Sequence, residues 1–188
     1  MLDTLRTFFA IELPDPIRAQ AITQTASLKR DYPHFKWVGE QNLHITLAFL
    51  GNVEASKIDS IIELAQSNPP PESPFELRLT NFGTFPNAKR PRVLWLGIDN
   101  AYRLAQLAQW SADITKQLDI AADNSNPFHA HVTVARIPKP PPSTLQTALD
   151  TAPEWPSDAF QVCHVSLFTS TLTPNGPQYN RIETFPLS

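Results

Sequence analysis

His44-Ile45-Thr46-Leu47-Ala48 and His131-Val132-Thr133-Val134-Ala135 are the stretches whose reading decides the fold. Each is a His-apolar-Thr-apolar string, and the two lie nearly half the chain apart. Composition alone produces such a pair with odds on the order of a few in a thousand. Their alternation and β-branched content mark both as strands. Successive side chains of a strand point to opposite faces, so His44 and Thr46 share one face while Ile45 and Leu47 take the other. The same holds for His131 and Thr133, and two such strands meeting at a cleft would converge two imidazoles and two hydroxyls.

Outward from these strands the chain reads as mixed α and β. Residues 8–13, Phe-Phe-Ala-Ile-Glu-Leu, are a short apolar run closed by Pro14 and suit a buried strand. Asp15-Pro16 reads as N-cap and first helical position of a helix ending near residue 30. The first motif strand covers residues 43–50. Ile58, Ile61, Ile62 and Ala65 recur at helical spacing and predict a helix over 56–67. Phe75, Leu77 and Leu79 alternate with polar residues, and residues 92–98 resume the strand pattern after a loop holding Lys89, Arg90 and Arg92. Leu104, Leu107, Ala108, Ile114 and Leu118 predict a helix over 102–118. Strands are predicted at 129–135, 160–169 and 179–185, with the Pro-rich stretches 138–142 and 153–156 as connectors. This order, without doubly wound alternation, points to an α+β fold.

The 188 residues suit one domain, with 41% hydrophobic and 18% charged residues, too apolar for a disordered segment. A net charge of −3 provides no global basic field, which excludes non-specific coating of RNA or DNA. The single cysteine, Cys163, excludes an internal disulfide and reads as an inert thiol in an apolar strand. Met1-Leu2-Asp3-Thr4-Leu5-Arg6 lacks a basic start followed by a long apolar stretch, so a cytoplasmic protein is expected. Five glycines, none in a phosphate-loop pattern, argue against nucleoside-triphosphate chemistry.

Two imidazoles and two hydroxyls suit in-line displacement at phosphorus. That reaction needs a base on the attacking oxygen, an acid on the leaving oxygen and donors for the non-bridging oxygens. Histidine titrates near neutrality, so one can be neutral while its twin is protonated. Threonine hydroxyls can donate to phosphate oxygens. No metal or other cofactor is required.

The two motifs are accompanied by Phe8-Phe9-Ala10-Ile11-Glu12-Leu13-Pro14, the lead-in Trp37-Val38, Asn42-Leu43 before His44, Pro127-Phe128-His129-Ala130 before His131, and Ser170, Gly176 and Tyr179 in that order. This set resembles the two-histidine (2H) phosphoesterases, and within them the LigT-like family of RNA 2′,3′-cyclic phosphodiesterases, also called 2′-5′ RNA ligases. The resemblance spans nearly the whole chain. It implies a bilobed, pseudo-symmetric α+β fold over residues 1–188, a single domain whose interleaved lobes each carry an antiparallel sheet with helices outside and give one motif, 44–47 and 131–134, to a central cleft. It implies hydrolysis of a terminal 2′,3′-cyclic phosphate to a 2′-phosphate, with His44 as proton donor and His131 as proton acceptor. Thr46 and Thr133 would hold phosphate oxygens, and weak reversible 2′-5′ ligation is a side activity of the same geometry. The implied partners are RNA 3′-ends bearing the cyclic phosphate, tRNA fragments among them, and a monomer is expected.

Arg136 matches a phosphate-binding arginine of the family, yet strict alternation gives it the parity of the core-facing Val132 and Val134; only a strand end or bulge would turn it to the cleft. Trp37 and Phe9 are candidates to stack on a terminal base, against core burial as the competing role. His129 and His131 share parity, but a metal site needs further ligands, and the nearest preceding acids are Asp119 and Asp123. His34, His164, Trp95, Trp110 and Trp155 carry no functional pattern. Lys89, Arg90 and Arg92 could meet an RNA backbone or simply be solvated. Rival readings are a phosphodiesterase for small cyclic phosphates such as cyclic nucleotides or ADP-ribose cyclic phosphate, a non-catalytic RNA-binding module, and a metallohydrolase.

Overall fold

Phe9, Ile11 and Leu13 bury one face of the first strand, while Phe8 and Ala10 bury the other against a separate apolar group. That strand, β1 (Thr4–Glu12), is followed by α1 (Asp15–Asp31), β2 (Lys36–Trp37), β3 (His44–Glu54), α2 (Ile58–Ser67), β4 (Phe75–Leu77), β5 (Leu79–Phe85) and β6 (Val93–Ile98). The remaining elements are α3 (Ala101–Gln117), β7 (Val132–Arg136), α4 (Leu145–Asp150), β8 (Phe160–Val162), β9 (His164–Thr173) and β10 (Gly176–Pro186). The computed structural model describes residues 3–120, 127–138, 141–174 and 176–188.

Seven strands lie in the order β10-β9-β1-β3-β7-β6-β5, all antiparallel, with β2 added alongside β7. Strands β4 and β8 form a separate two-stranded ribbon. The two lobes therefore share one sheet, joined where β3 meets β7. One half is β10-β9-β1-β3 and the other β7-β6-β5.

One face of the sheet is covered by helices. Ile17, Ala21, Thr25 and Leu28 of α1 are buried at three- and four-residue spacing, as are Ile58, Ile61 and Ala65 of α2 and Leu104, Leu107, Ala108, Ser111, Ile114 and Thr115 of α3. They close over Phe9, Ile11, Ile45, Leu47, Leu94, Leu96, Val132 and Val134. The opposite face carries the small group Phe8, Ala10 and Phe168 with Phe49 and Tyr179 packed against it.

Several boundaries differ from the sequence reading for identifiable reasons. Helix α1 is capped by Pro14, whose carbonyl accepts from the Ile17 and Arg18 amides, and the Asp15 side chain pairs instead with Arg18 one turn on. Strand β5 runs on to Phe85 through Gly83, where a Cβ would sit 2.1 Å from the Trp95 ring. The glycine is there because the indole lies flat across the strand. The predicted strand over 160–169 is broken at Cys163, which is exposed between β8 and β9 and is no core thiol. His129 and His131 precede β7, which starts at Val132. The Pro-flanked connector contains a short helix, α4, with Leu145 buried. Among the described residues no helix is long and apolar enough to cross a membrane.

Phe9 has no exposed surface and touches Trp110 and Phe185 at ring separations of 5.4 Å and 6.0 Å. Truncation of such a ring removes transfer energy and leaves a cavity. Phe9→Ala should lower unfolding stability by about 3–5 kcal/mol, read as a fall in the urea midpoint at unchanged slope.

Candidate active site

The two motifs meet on adjacent strands. Antiparallel bridging at Ile45 and Val132 sets His44 against Thr133 and Thr46 against His131 on the face opposite the helices. The imidazoles are then diagonal neighbours, a relation that places backbones about 7–8 Å apart. The motifs lie head to tail about a local two-fold at the single bridge between Ile45 and Val132.

That symmetry continues in the backbone. In β3, Ala10 opposes Thr46 while Phe9 opposes Ala48, so Leu47 is an extra residue. In β7, Trp95 opposes Thr133 while Leu94 opposes Ala135, so Val134 is the extra residue. Each motif thus carries a β-bulge at its fourth position, and burial follows: Leu47 and Ala48 are both buried, as are Val134 and Ala135. After a bulge the alternation changes phase. Phe49 and Arg136 therefore return to the face of the histidines. This resolves the parity conflict for Arg136, which is exposed and whose charge acts on the Tyr179 hydroxyl.

Both imidazoles are fixed the same way. The Nδ1–H of His44 donates to the Asn42 carbonyl and that of His131 to the His129 carbonyl, each at 2.7 Å. A carbonyl cannot donate, so Nδ1 carries the proton and Nε2 is left for chemistry. His44 Nε2 lies 3.0 Å from Thr46 Oγ1, whose hydroxyl donates to it in the neutral state. His131 Nε2 has no hydrogen bond to any described residue. Aromatic rings hold both: Phe8 and Tyr179 lie 5.1 Å and 5.2 Å from His44, and Phe85 and Trp95 lie 4.9 Å and 6.2 Å from His131. The start of β10 reaches the segment before His44, where the Pro177 carbonyl accepts from the Asn42 side chain at 2.9 Å.

Burial pushes the pKa of His44 below its ordinary value, against the Asn42 hydrogen bond, and the charge of His131 pushes it further down. Burial lowers His131 too, opposed by its bond to His129 and aided by the His129 charge. Both rings therefore favour the neutral form. Burial raises the Tyr179 hydroxyl, and Arg136 and Arg6 pull it back.

The other candidates fall elsewhere. Phe9 is sealed in the core and cannot meet a base; its neighbour Phe8 is the ring at the site. Trp37 pairs with Ala135 and so faces the core side, where its indole N–H donates to the Tyr32 carbonyl and its ring borders Ile22, Thr25 and Lys29 of α1. It does not approach the histidines. His129 packs on Trp95 and Phe85, and among the described residues no three metal-ligating side chains come together; Asp123 lies outside them. Lys89 and Arg90 are exposed on the β5–β6 turn, and Arg92 is half-buried. Sequence reasoning gave Trp95 no role and did not single out Phe85. Both gain one only through the pairing of β5 with β6 and of β6 with β7, which no local pattern encodes.

The sequence profile described as LigT like Phosphoesterase matches residues 11–95 and 98–179. A relative from Aquifex aeolicus named RNA 2′,3′-cyclic phosphodiesterase is 36% identical over 153 residues, 81% of each chain. One of the same name from Escherichia coli is 31% identical over all of this chain and 99% of its own. Among solved structures, E. coli LigT complexed with 3′-AMP superposes with a TM-score of 0.81 at 29% identity, covering 99% of both chains. A Thermus thermophilus protein gives the same score over 97% and 98%.

The lowered histidine pKa values carry a stability consequence. Below about pH 6.5 the unfolded chain protonates both rings while the folded chain resists, so stability is full above that pH and falls as the pH drops towards the folded values. Urea unfolding at pH 7.5 and 5.5 should show a larger loss for the wild type than for His131→Asn, which removes one of the titrating groups.

Proposed function

The chain belongs to the LigT-like phosphoesterase family, and on that footing we propose that it is an RNA 2′,3′-cyclic phosphodiesterase in which His44 and His131 act as acid and base. Water attacks phosphorus in line with O3′ and gives its proton to His131 Nε2. His44 Nε2–H gives a proton to O3′ as the P–O3′ bond breaks. The products are a 2′-phosphate and a free 3′-hydroxyl, and the proton balance between the two rings is restored through solvent.

The observation that carries this reading is the unequal setting of the two Nε2 atoms. Among the described residues nothing bonds to His131 Nε2, which supports the base role, whereas His44 Nε2 is held by Thr46 Oγ1. The phosphodiester anion supplies the charge that raises the His44 pKa when substrate binds. Thr46, Thr133 and Arg136 face the same side and donate to the non-bridging oxygens, so charge developing on them is met without reorganisation. A 5′-hydroxyl in place of water gives the reverse, 2′-5′-joining reaction. The substrates are RNA 3′-ends, tRNA fragments included, and the protein acts as a monomer in the cytoplasm.

The roles separate by leaving group. His44→Ala and His131→Ala should each lose about 10²–10⁴-fold in kcat on an oxygen substrate, with native circular dichroism. On a cyclic phosphate whose O3′ is replaced by sulfur, which leaves without protonation, His44→Ala should recover most of its rate and His131→Ala should not. The opposite pattern exchanges the roles, and full activity of either variant on the oxygen substrate ends the reading.

A further inference from the structure

Beside the histidines, on the same face of the sheet, lies a polar row that the hydrolytic step does not use. Arg6 of β1 opposes Ser170 of β9, and Ser170 opposes Tyr179 of β10, so the three share one face across three strands. Arg6 and Phe8 alternate along β1, which makes this the face of His44. The Arg6 guanidinium lies 4.3 Å above the Phe49 ring. Phe49 is the sixth residue of the first motif, the place that Arg136 fills in the second. The first half thus lacks a guanidinium of its own at that position, and Arg6 from the neighbouring strand fills the space over its phenylalanine.

Among the described residues the side chains of this row have no hydrogen-bond partners. Arg18, Arg30, Arg103 and Arg181 each meet a carboxylate. Arg6 and Arg136 meet none among the described residues, and neither the Ser170 nor the Tyr179 hydroxyl hydrogen-bonds to a described residue. Two guanidinium groups and two hydroxyls with unused donors suit a phosphate diester. The ring of Phe49 fixes Arg6 in place, which lowers the ordering entropy that a long side chain would otherwise lose on binding. Tyr179 touches the His44 ring and is acted on by the charges of both Arg6 and Arg136, so the row borders the reacting site.

We propose that Arg6, Ser170 and Tyr179 form a second anion subsite that binds the phosphodiester immediately 5′ to the terminal nucleotide, so that the enzyme favours an RNA strand over a free nucleoside cyclic phosphate. The subsite rests on the hydrolase reading above and specifies its substrate class. Arg136 stays with the reacting phosphate, and Arg6 serves the next one.

Three substrates with the same terminal nucleoside test this: the nucleoside 2′,3′-cyclic phosphate, a dinucleotide ending in the cyclic phosphate, and that dinucleotide with a neutral methylphosphonate linkage. Wild-type kcat/KM should be highest on the charged dinucleotide. Arg6→Gln should reduce it there by roughly ten- to a hundredfold, the loss of one charge-assisted hydrogen bond, and leave the other two substrates within about twofold. Arg6→Lys should retain part of the preference, and Ser170→Ala, a milder change, should give a smaller loss on the charged dinucleotide alone. An equal loss of Arg6→Gln and Ser170→Ala on all three substrates, or no loss on any, overturns the subsite while leaving the hydrolase reading in place. A wild-type enzyme inert towards all three overturns both.

Discussion

One point of contact between two strands organises the molecule. Where Ile45 meets Val132, the halves of the sheet become one, and the histidine and threonine of each motif are brought against those of the other. A slip of either strand by one residue would turn its histidine and threonine into the core and its apolar residues into the cleft. The pairing is held by burial on the helix side: Ile45 and Val132 have no exposed surface, and Leu47 and Val134 are buried beside them. The hydrophobic core thus fixes the geometry of a polar site on its far side.

The bulges at Leu47 and Val134 are the second half of that arrangement. A strand of strict alternation could present a histidine and a threonine, but its next cleft-facing residue would be the fifth of each motif, Ala48 or Ala135. Inserting one residue moves the sixth into view, and the two sixth residues differ. Phe49 gives one side an aromatic ring, over which Arg6 of the neighbouring strand lies, and Arg136 gives the other a guanidinium of its own, which breaks the symmetry of an otherwise two-fold site.

Much of this is legible in the sequence. Helices α2 and α3 declare themselves because their apolar residues recur at three and four, α1 through the Asp15-Pro16 signal at its start, and the motif strands because parity separates Ile45 from His44 and Thr46. What is not legible depends on partners distant in the chain. The extension of β5 through Gly83 makes sense only once Trp95 lies across it. Phe8 and Phe9 are chemically identical neighbours, and only the placement of helices on one face decides which ring seals the core and which meets His44. Parity alone leaves the facing of Arg136 open, because the bulge that decides it is a property of two paired strands. Trp37 is turned to the core by its register with Ala135.

The order of the strands has a consequence for how the molecule is made. The N-terminal motif lies on β3, beside β1, yet β1 is paired on its other edge by β9, and the rings that pack on Phe8 include Phe168 and Tyr179. During synthesis on the ribosome the first histidine is therefore translated long before the residues that enclose it. Such non-local pairings slow folding because loop-closure entropy must be met before the contacts form. Until β9 and β10 emerge, β1 presents an unpaired strand edge, the kind of surface that nascent-chain chaperones shield from association.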